Sequence, residues 1–221
     1  MGKAFMATDQ TSAPGADAAA TVAAWRSLAS SNPPDAAEAA WSRILELQDL
    51  GRTDRKQADA LLNDLFRAGS PARGLDGPTD GILVLTTTTK LTDVALKALT
   101  SAWMPWEGKR FDADAGTGDN RMTDDATVVG KVLWPLYSMK DSLAGKVAFD
   151  FTTYVEPGVE DPDIEVMVID YADIKDNPRL LIRSIRDELV ELVPGAYLGK
   201  VLYRLPTKSY AKLGYFALRT P

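Results

Sequence analysis

The sequence predicts an α+β protein: N-terminal helices, then a mainly antiparallel curved β-sheet or small half-open barrel, with one late helix. Three observations predict it. Between Asp17 and Gly69 apolar residues recur at helical spacing, and the breaks carry helix-capping residues. After a Gly-, Pro- and Asp-rich stretch from Ser70 to Asp80, the texture changes to short β-branched and aromatic runs that leave their turns through Gly. Near the end, Asn177-Pro178 opens a segment in which Ile182, Ile185, Leu189 and Leu192 recur at steps of three, four and three, the spacing of one helical face. The expected organisation is a disordered tail over residues 1–16, a helical segment over 17–69, a linker over 70–80 and a β domain over 81–221.

Each element has its own signal. Residues 17–29 are Ala-rich, with Val22, Trp25 and Leu28 apolar. Asn32 can cap the next helix, Pro33 suits its first position and Asp35 favours its positive end. Its stripe is Ala37, Trp41, Ile44 and Leu45, down to Leu50-Gly51. Thr53 or Asp54 begins a third helix with Ala58, Leu61, Leu62, Leu65 and Phe66 on one side and Gly69 as its stop. Residues 81–89 read as a strand ending in four threonines, and Thr92 or Asp93 caps a short helix bearing Leu96, Leu99 and Trp103. Trp106 to Asp112 is a short strand and residues 113–120 a polar loop. Residues 128–137 form a strand bent at Pro135. In Lys146–Tyr154 the residues Val147, Phe149 and Phe151 alternate with Asp150, Thr152 and Tyr154. Ile164–Tyr171 is apolar on both faces and so should be central. The late helix stops at Pro194-Gly195, and a hairpin of 196–204 with 213–219 follows. Four Gly-Lys pairs, at 108, 130, 145 and 199, punctuate the strands and place each Lys at a rim.

Composition removes many chemistries. The chain of 221 residues contains no Cys and no His. Thiolate nucleophiles, disulfides, Cys-type zinc sites, Ser-His-Asp hydrolysis and His-ligated haem are excluded. No cofactor and no metal is implied. The acidic turn Glu156, Glu160, Asp161, Asp163, Glu165 lacks the spacing of a calcium loop. A net charge of −6 with scattered Lys and Arg argues against nucleic acid. The start lacks a signal peptide's apolar stretch and no segment is apolar for long enough to span a membrane, so a soluble, cytoplasmic protein is expected.

The run Trp106-Glu107-Gly108-Lys109-Arg110-Phe111-Asp112, the later strands and the terminal Tyr215-Phe216-Ala217-Leu218-Arg219 resemble the small bacterial proteins named for a G-x-W-x-G motif and the domain of unknown function that follows it. The resemblance spans at most residues 81–219, and Gly81 is followed by Ile82 and Leu83 where that motif has tryptophan. It implies a compact β-barrel able to hold a small apolar, lipid-like molecule.

The candidate site residues follow from these elements. Trp103, Trp106, Phe149, Phe151 and Tyr203 either line a ligand cavity or fill the core. Arg186, on the charged face of the late helix, either clamps an anionic head at the cavity mouth or belongs to a solvated face on which Asp187 pairs with Arg183. Asp150, Tyr154 and Asp187 are the candidate acid/base groups if their side faces inward. Lys109 and Arg110 either enter a pocket or decorate a strand edge. Three functions remain open. The first is binding of a small apolar or amphipathic ligand in the β domain. The second is a cofactor-independent isomerase or cyclase using the same carboxylates. The third is an assembly module forming a homo-oligomer through the N-terminal helices.

Overall fold

The computed structural model describes residues 14–87, 106–123, 139–142, 145–179 and 181–221. Three helices open it: α1 (Pro14–Ala29), α2 (Pro33–Thr53) and α3 (Arg55–Arg67). Their ends follow from side-chain chemistry. The Asn32 amide oxygen accepts the Asp35 N–H at 3.4 Å, and the Asp54 carboxylate accepts the Gln57 N–H at 2.9 Å, each satisfying a backbone donor that has no partner inside its helix. The buried residues of α2 are Ala36, Ala40, Trp41, Ile44 and Leu47; those of α3 are Ala58, Leu62, Leu65 and Phe66. No described helix is long and apolar enough to cross a membrane.

The strands of the remaining described residues form one antiparallel sheet. Its strands are β1 (Ser70–Pro71), β2 (Gly77–Pro78), β3 (Asp80–Thr86), β4 (Trp106–Asp112), β5 (Thr117–Met122), β6 (Lys140–Ser142), β7 (Gly145–Pro157), β8 (Glu165–Asp170), β9 (Ile185–Val193), β10 (Ala196–Arg204) and β11 (Tyr210–Arg219). The path runs β2-β4-β5-β7-β8-β9-β10-β11-β3, with β1 on β9 and β6 on β7. Its two ends meet. β2 and β3 are separated only by Thr79, and one pairs with β4 while the other pairs with β11. The Thr79 N–H donates to the Lys109 carbonyl at 2.8 Å, and Arg121 donates to the Thr79 carbonyl at 2.8 Å. The sheet therefore curls into a nearly closed barrel. Gly108 makes the closure possible: its φ is +145°, and a Cβ there would lie 2.0 Å from the Thr79 carbonyl oxygen.

Closure divides the apolar residues into two cores. Inside the barrel lie Phe111, Phe149, Phe151, Met167, Ile169, Ile185, Leu189, Val201 and Phe216. Outside it, α2 and α3 bury their stripes against Val84, Leu85, Val166, Val168, Val190, Leu192 and Leu198. The helices thus cover one outer flank of the sheet, and their apolar faces are engaged within the chain. Burying each such side chain contributes roughly 1.5–3 kcal/mol.

Several expectations are corrected. The described residues of 178–192 do not form the expected helix. Ile182–Ser184 is a single 3₁₀ turn, and Ile185–Val193 is a strand between β8 and β10. Ile185 and Leu189 are four residues apart, so they share a face in a helix and in a strand alike, and spacing does not separate the two. The two neighbouring strands decide it. Inward-facing Ile185, Asp187 and Leu189 alternate with outward-facing Arg186, Glu188 and Val190. Asn177 does not cap a helix; its amide donates to the carbonyls of Asp150 at 2.7 Å and Tyr171 at 3.3 Å. Arg183 does not pair with Asp187 and donates instead to the carbonyls of Asn177, at 2.9 Å, and Lys175.

The stretch 70–80 is woven into the sheet as β1 and β2. The polar loop is shorter than expected, since β5 begins at Thr117. Lys109 and Lys200, expected at rims, are buried at 3 % and 0 % exposure. The alternation in β7 is broken at Phe149, where φ is +54° and the pairing with β5 shifts register. The expected helix over 92–103 and strand over 128–137 lie outside the described residues. The hairpin and the central strand are in place: β10 and β11 pair from Ala196↔Arg219 to Arg204↔Tyr210, and Val166 to Ile169 in β8 are all buried.

Candidate functional site

Among the described residues, four polar side chains from four places in the chain meet within the apolar lining of the barrel. β4 alternates, so Lys109 and Phe111 point inward. β5 contributes Asn120, β9 contributes Asp187, and Tyr171 follows β8. The Lys109 Nζ donates to Asn120 Oδ1 at 2.9 Å and to the Tyr171 hydroxyl at 2.6 Å, and it lies 2.9 Å from Asp187 Oδ2. The Tyr171 hydroxyl donates to the same Asp187 oxygen at 3.0 Å. Asn120 also accepts the Trp106 indole N–H at 3.1 Å and donates to the Phe149 carbonyl at 3.0 Å. The ammonium, the amide and the hydroxyl thus find partners within a few ångströms, as an interior requires.

Aromatic rings surround the ammonium. Its nitrogen lies 5.3 Å from the ring centres of Phe151, Tyr171 and Phe216 and 5.7 Å from that of Trp106. Trp106 and Phe216 meet edge to face at 5.9 Å. Phe216 can lie across the sheet because Gly199 has no side chain; a Cβ there would lie 2.2 Å from the Phe216 ring. Burial pulls the Lys109 ammonium below the ordinary lysine value, with Asp187 opposing the shift. Burial also holds the Tyr171 phenol well above its ordinary value, and the Asp187 charge adds to this.

Beside this cluster is a cavity of about 50 Å³. Lys109, Asn120, Tyr171 and Asp187 form its polar wall, and Leu83, Met122, Ile182, Ile185, Val201 and Phe216 are among its apolar lining. Trp106 and Phe149 also line it. Of the residues singled out from sequence, Trp106, Phe149 and Asp187 therefore meet at one cavity. Phe151 stands behind Lys109 rather than at the wall. Tyr203 packs at the edge of the interior core. Trp103 lies outside the described residues.

The other candidates lie elsewhere. Arg186 is on the outer side of β9 and pairs with Glu156 and, at 2.9 Å, with Glu188. Asp150 pairs with Lys140 on the rim of an open outer groove. Tyr154 is 40 % exposed and donates to Asp170 at 3.2 Å; partial burial and the Asp170 charge push its phenol up to about 12. Sequence leaves Lys109 either in a pocket or at a strand edge, and gives Asn120 and Tyr171 no distinguishing signal. The usable sign was Lys109 sharing a strand face with Phe111.

A second polar cluster joins the helices to the sheet. Lys200 donates to Asn63 Oδ1 at 2.7 Å and Asp161 Oδ2 at 2.5 Å, and Arg67 donates to Asp161 at 2.6 Å and Asp163 at 2.5 Å. The acidic turn therefore serves as an electrostatic latch between α3 and β10. Among the described residues, no group of carboxylates is arranged to hold a metal ion.

No family model, curated protein or solved structure matches the chain.

Proposed function

We propose that the protein binds a compact, mostly apolar small molecule inside the barrel. The observation that carries this reading is the cavity itself: largely apolar walls meeting a fixed polar cluster, the usual composition of a small-molecule site. An eight- or nine-strand barrel is just wide enough to be filled by its own side chains or to hold one small ligand. About 50 Å³ is room for roughly three or four water-sized atoms, so the occupant is compact and a lipid chain is too large for it.

The test is protein-observed methyl NMR against a set of compact apolar molecules. Binding in the cavity shifts the methyls of Leu83, Met122, Ile182, Ile185 and Val201 saturably, and Val201→Leu, which fills the space, abolishes the response. Shifts scattered over the outer surface, or unaffected by Val201→Leu, would overturn the reading.

A second reading, proton-transfer catalysis on the bound molecule, has one specific observation in its favour. Asp187 lines the cavity and shares a hydrogen-bonded network with a lysine shifted down and a tyrosine shifted up. Asp150 and Tyr154 have no part in it, since both lie on the outer side. Solvent-hydrogen exchange into a bound ligand, lost in Asp187→Asn, would distinguish catalysis from carriage.

A further inference from the structure

Among the described residues, the polar side chains that line the cavity leave one buried hydrogen-bonding atom unpaired, and its sign is informative. An ammonium has three N–H donors, and Lys109 directs them at Asn120 Oδ1, the Tyr171 hydroxyl and Asp187 Oδ2. The Tyr171 hydrogen goes to Asp187, while its oxygen accepts from Lys109 and, at 3.4 Å, from Asn120 Nδ2. Asn120 accepts from Trp106 and Lys109 and donates to the Phe149 carbonyl and Tyr171. Each of these groups is fully occupied. What is left over is Asp187 Oδ1, which is buried and has no hydrogen-bond partner among the described residues. Asp187 itself is 4 % exposed and lines the cavity.

We propose that this site selects a neutral molecule carrying one O–H or N–H donor, received by Asp187 Oδ1, with its hydrocarbon part against Leu83, Met122, Ile185 and Val201. A small alcohol is the simplest member of the class. The inference rests on the cavity being a binding site. Two physical points support the choice. An unpaired buried carboxylate oxygen costs free energy that a donor recovers. Among the described residues an anionic ligand finds no free donor in the cavity wall, because every Lys109 N–H is taken, and it meets the uncompensated edge of a carboxylate. The Lys109–Asp187 pair is neutral as a unit, so it offers no net charge to an ionic ligand.

The experiment compares 2-propanol, acetone and acetate, which are equal in non-hydrogen atoms and differ in donor, acceptor and charge. Each is titrated into the full chain while the cavity methyls are followed by NMR. The proposal expects 2-propanol to bind at least tenfold more tightly than acetone, and acetate to leave the cavity methyls unmoved. In Asp187→Asn the amide oxygen stays toward Lys109 and Tyr171, which turns the NH₂ toward the cavity. The preference should then invert in favour of acetone. Equal binding of 2-propanol and acetone to the wild-type protein would overturn the donor proposal while leaving the cavity as a binding site. So would a buried water, seen by nuclear Overhauser contact with the cavity methyls, that 2-propanol fails to displace. Cavity methyls unmoved by all three probes, and by the wider apolar set, would overturn the binding reading itself.

Discussion

Replacing Lys109 with Met tests whether the cluster inside the barrel is a desolvated ion pair. Met matches the length and apolar stem of Lys, so the four rings around the side chain keep their packing. What is lost is the ammonium, with its contacts at 2.9, 2.6 and 2.9 Å to Asn120, Tyr171 and Asp187. Among the described residues, Asp187 then keeps only the Tyr171 hydroxyl on Oδ2 and nothing on Oδ1. Removing one partner of a buried pair costs about 3–5 kcal/mol, because the remaining charge is uncompensated. The double variant Lys109→Met/Asp187→Leu removes both charges and should return to within about 1.5 kcal/mol of wild type or exceed it. The single changes are therefore strongly non-additive. Urea unfolding of the wild type and the variants at neutral pH measures this, read as midpoint shifts at constant slope. A Lys109→Met loss below about 1 kcal/mol would refute the reasoning, since it would place the pair in a water-like environment. A double variant as unstable as the sum of its singles would refute it too. Asp187→Asn adds a check on sign. Burial already pulls Lys109 below its ordinary 10.5, and losing Asp187 lowers it further. The unfolded chain then binds a proton that the folded chain does not, so the variant regains stability as the pH rises toward 10.5.

Three further outcomes follow from the outer cluster and the closure. Lys200→Met leaves Asp161 with Arg67 still in place, so it should cost less than Lys109→Met, about 2 kcal/mol in the same urea assay. Asp161 is pulled in both directions: burial raises it, but hydrogen bonds from Lys200 and Arg67 hold it below its ordinary 3.8. Its stabilisation is complete above pH 3.8 and is lost as the pH falls from there through the lower folded value, so the stability gap between wild type and Asp161→Asn should narrow below that point. Gly108→Ala places a methyl 2.0 Å from the Thr79 carbonyl oxygen at a φ of +145°, and should cost about 2 kcal/mol or more; hydrogen exchange should show the loosening at Thr79 and Lys109 first.

Legibility followed the range of the forces involved. The helices α2 and α3 could be read because Asn32, Pro33 and Asp54 act on backbone groups a few residues away. The hairpin of β10 and β11 could be read because its two apolar runs, 196–204 and 213–219, follow each other closely in the chain. The segment 178–192 was misread because its capping residues and its apolar spacing both mimic a helix, while the partners that make it a strand come from β8 and β10. The site was legible in fragments. Trp106, Phe149 and Asp187 were named from sequence and do share a cavity wall. Arg186 and Tyr154 are excluded from it by strand parity, and Asp150 by its place on the outer rim.

Sequence by itself determined the helical layer, the β texture after Asp80 and the absence of thiol and imidazole chemistry, since these depend on residue type and near neighbours. Tertiary structure alone decided that Lys109, Asn120, Tyr171 and Asp187 meet. They come from separate strands and a turn, and each could equally have faced water. Closure of the sheet through Thr79 and Gly108 made their common side an interior. Once that side was buried, the lysine and the aspartate had to be partners, because neither charge is tolerable there alone.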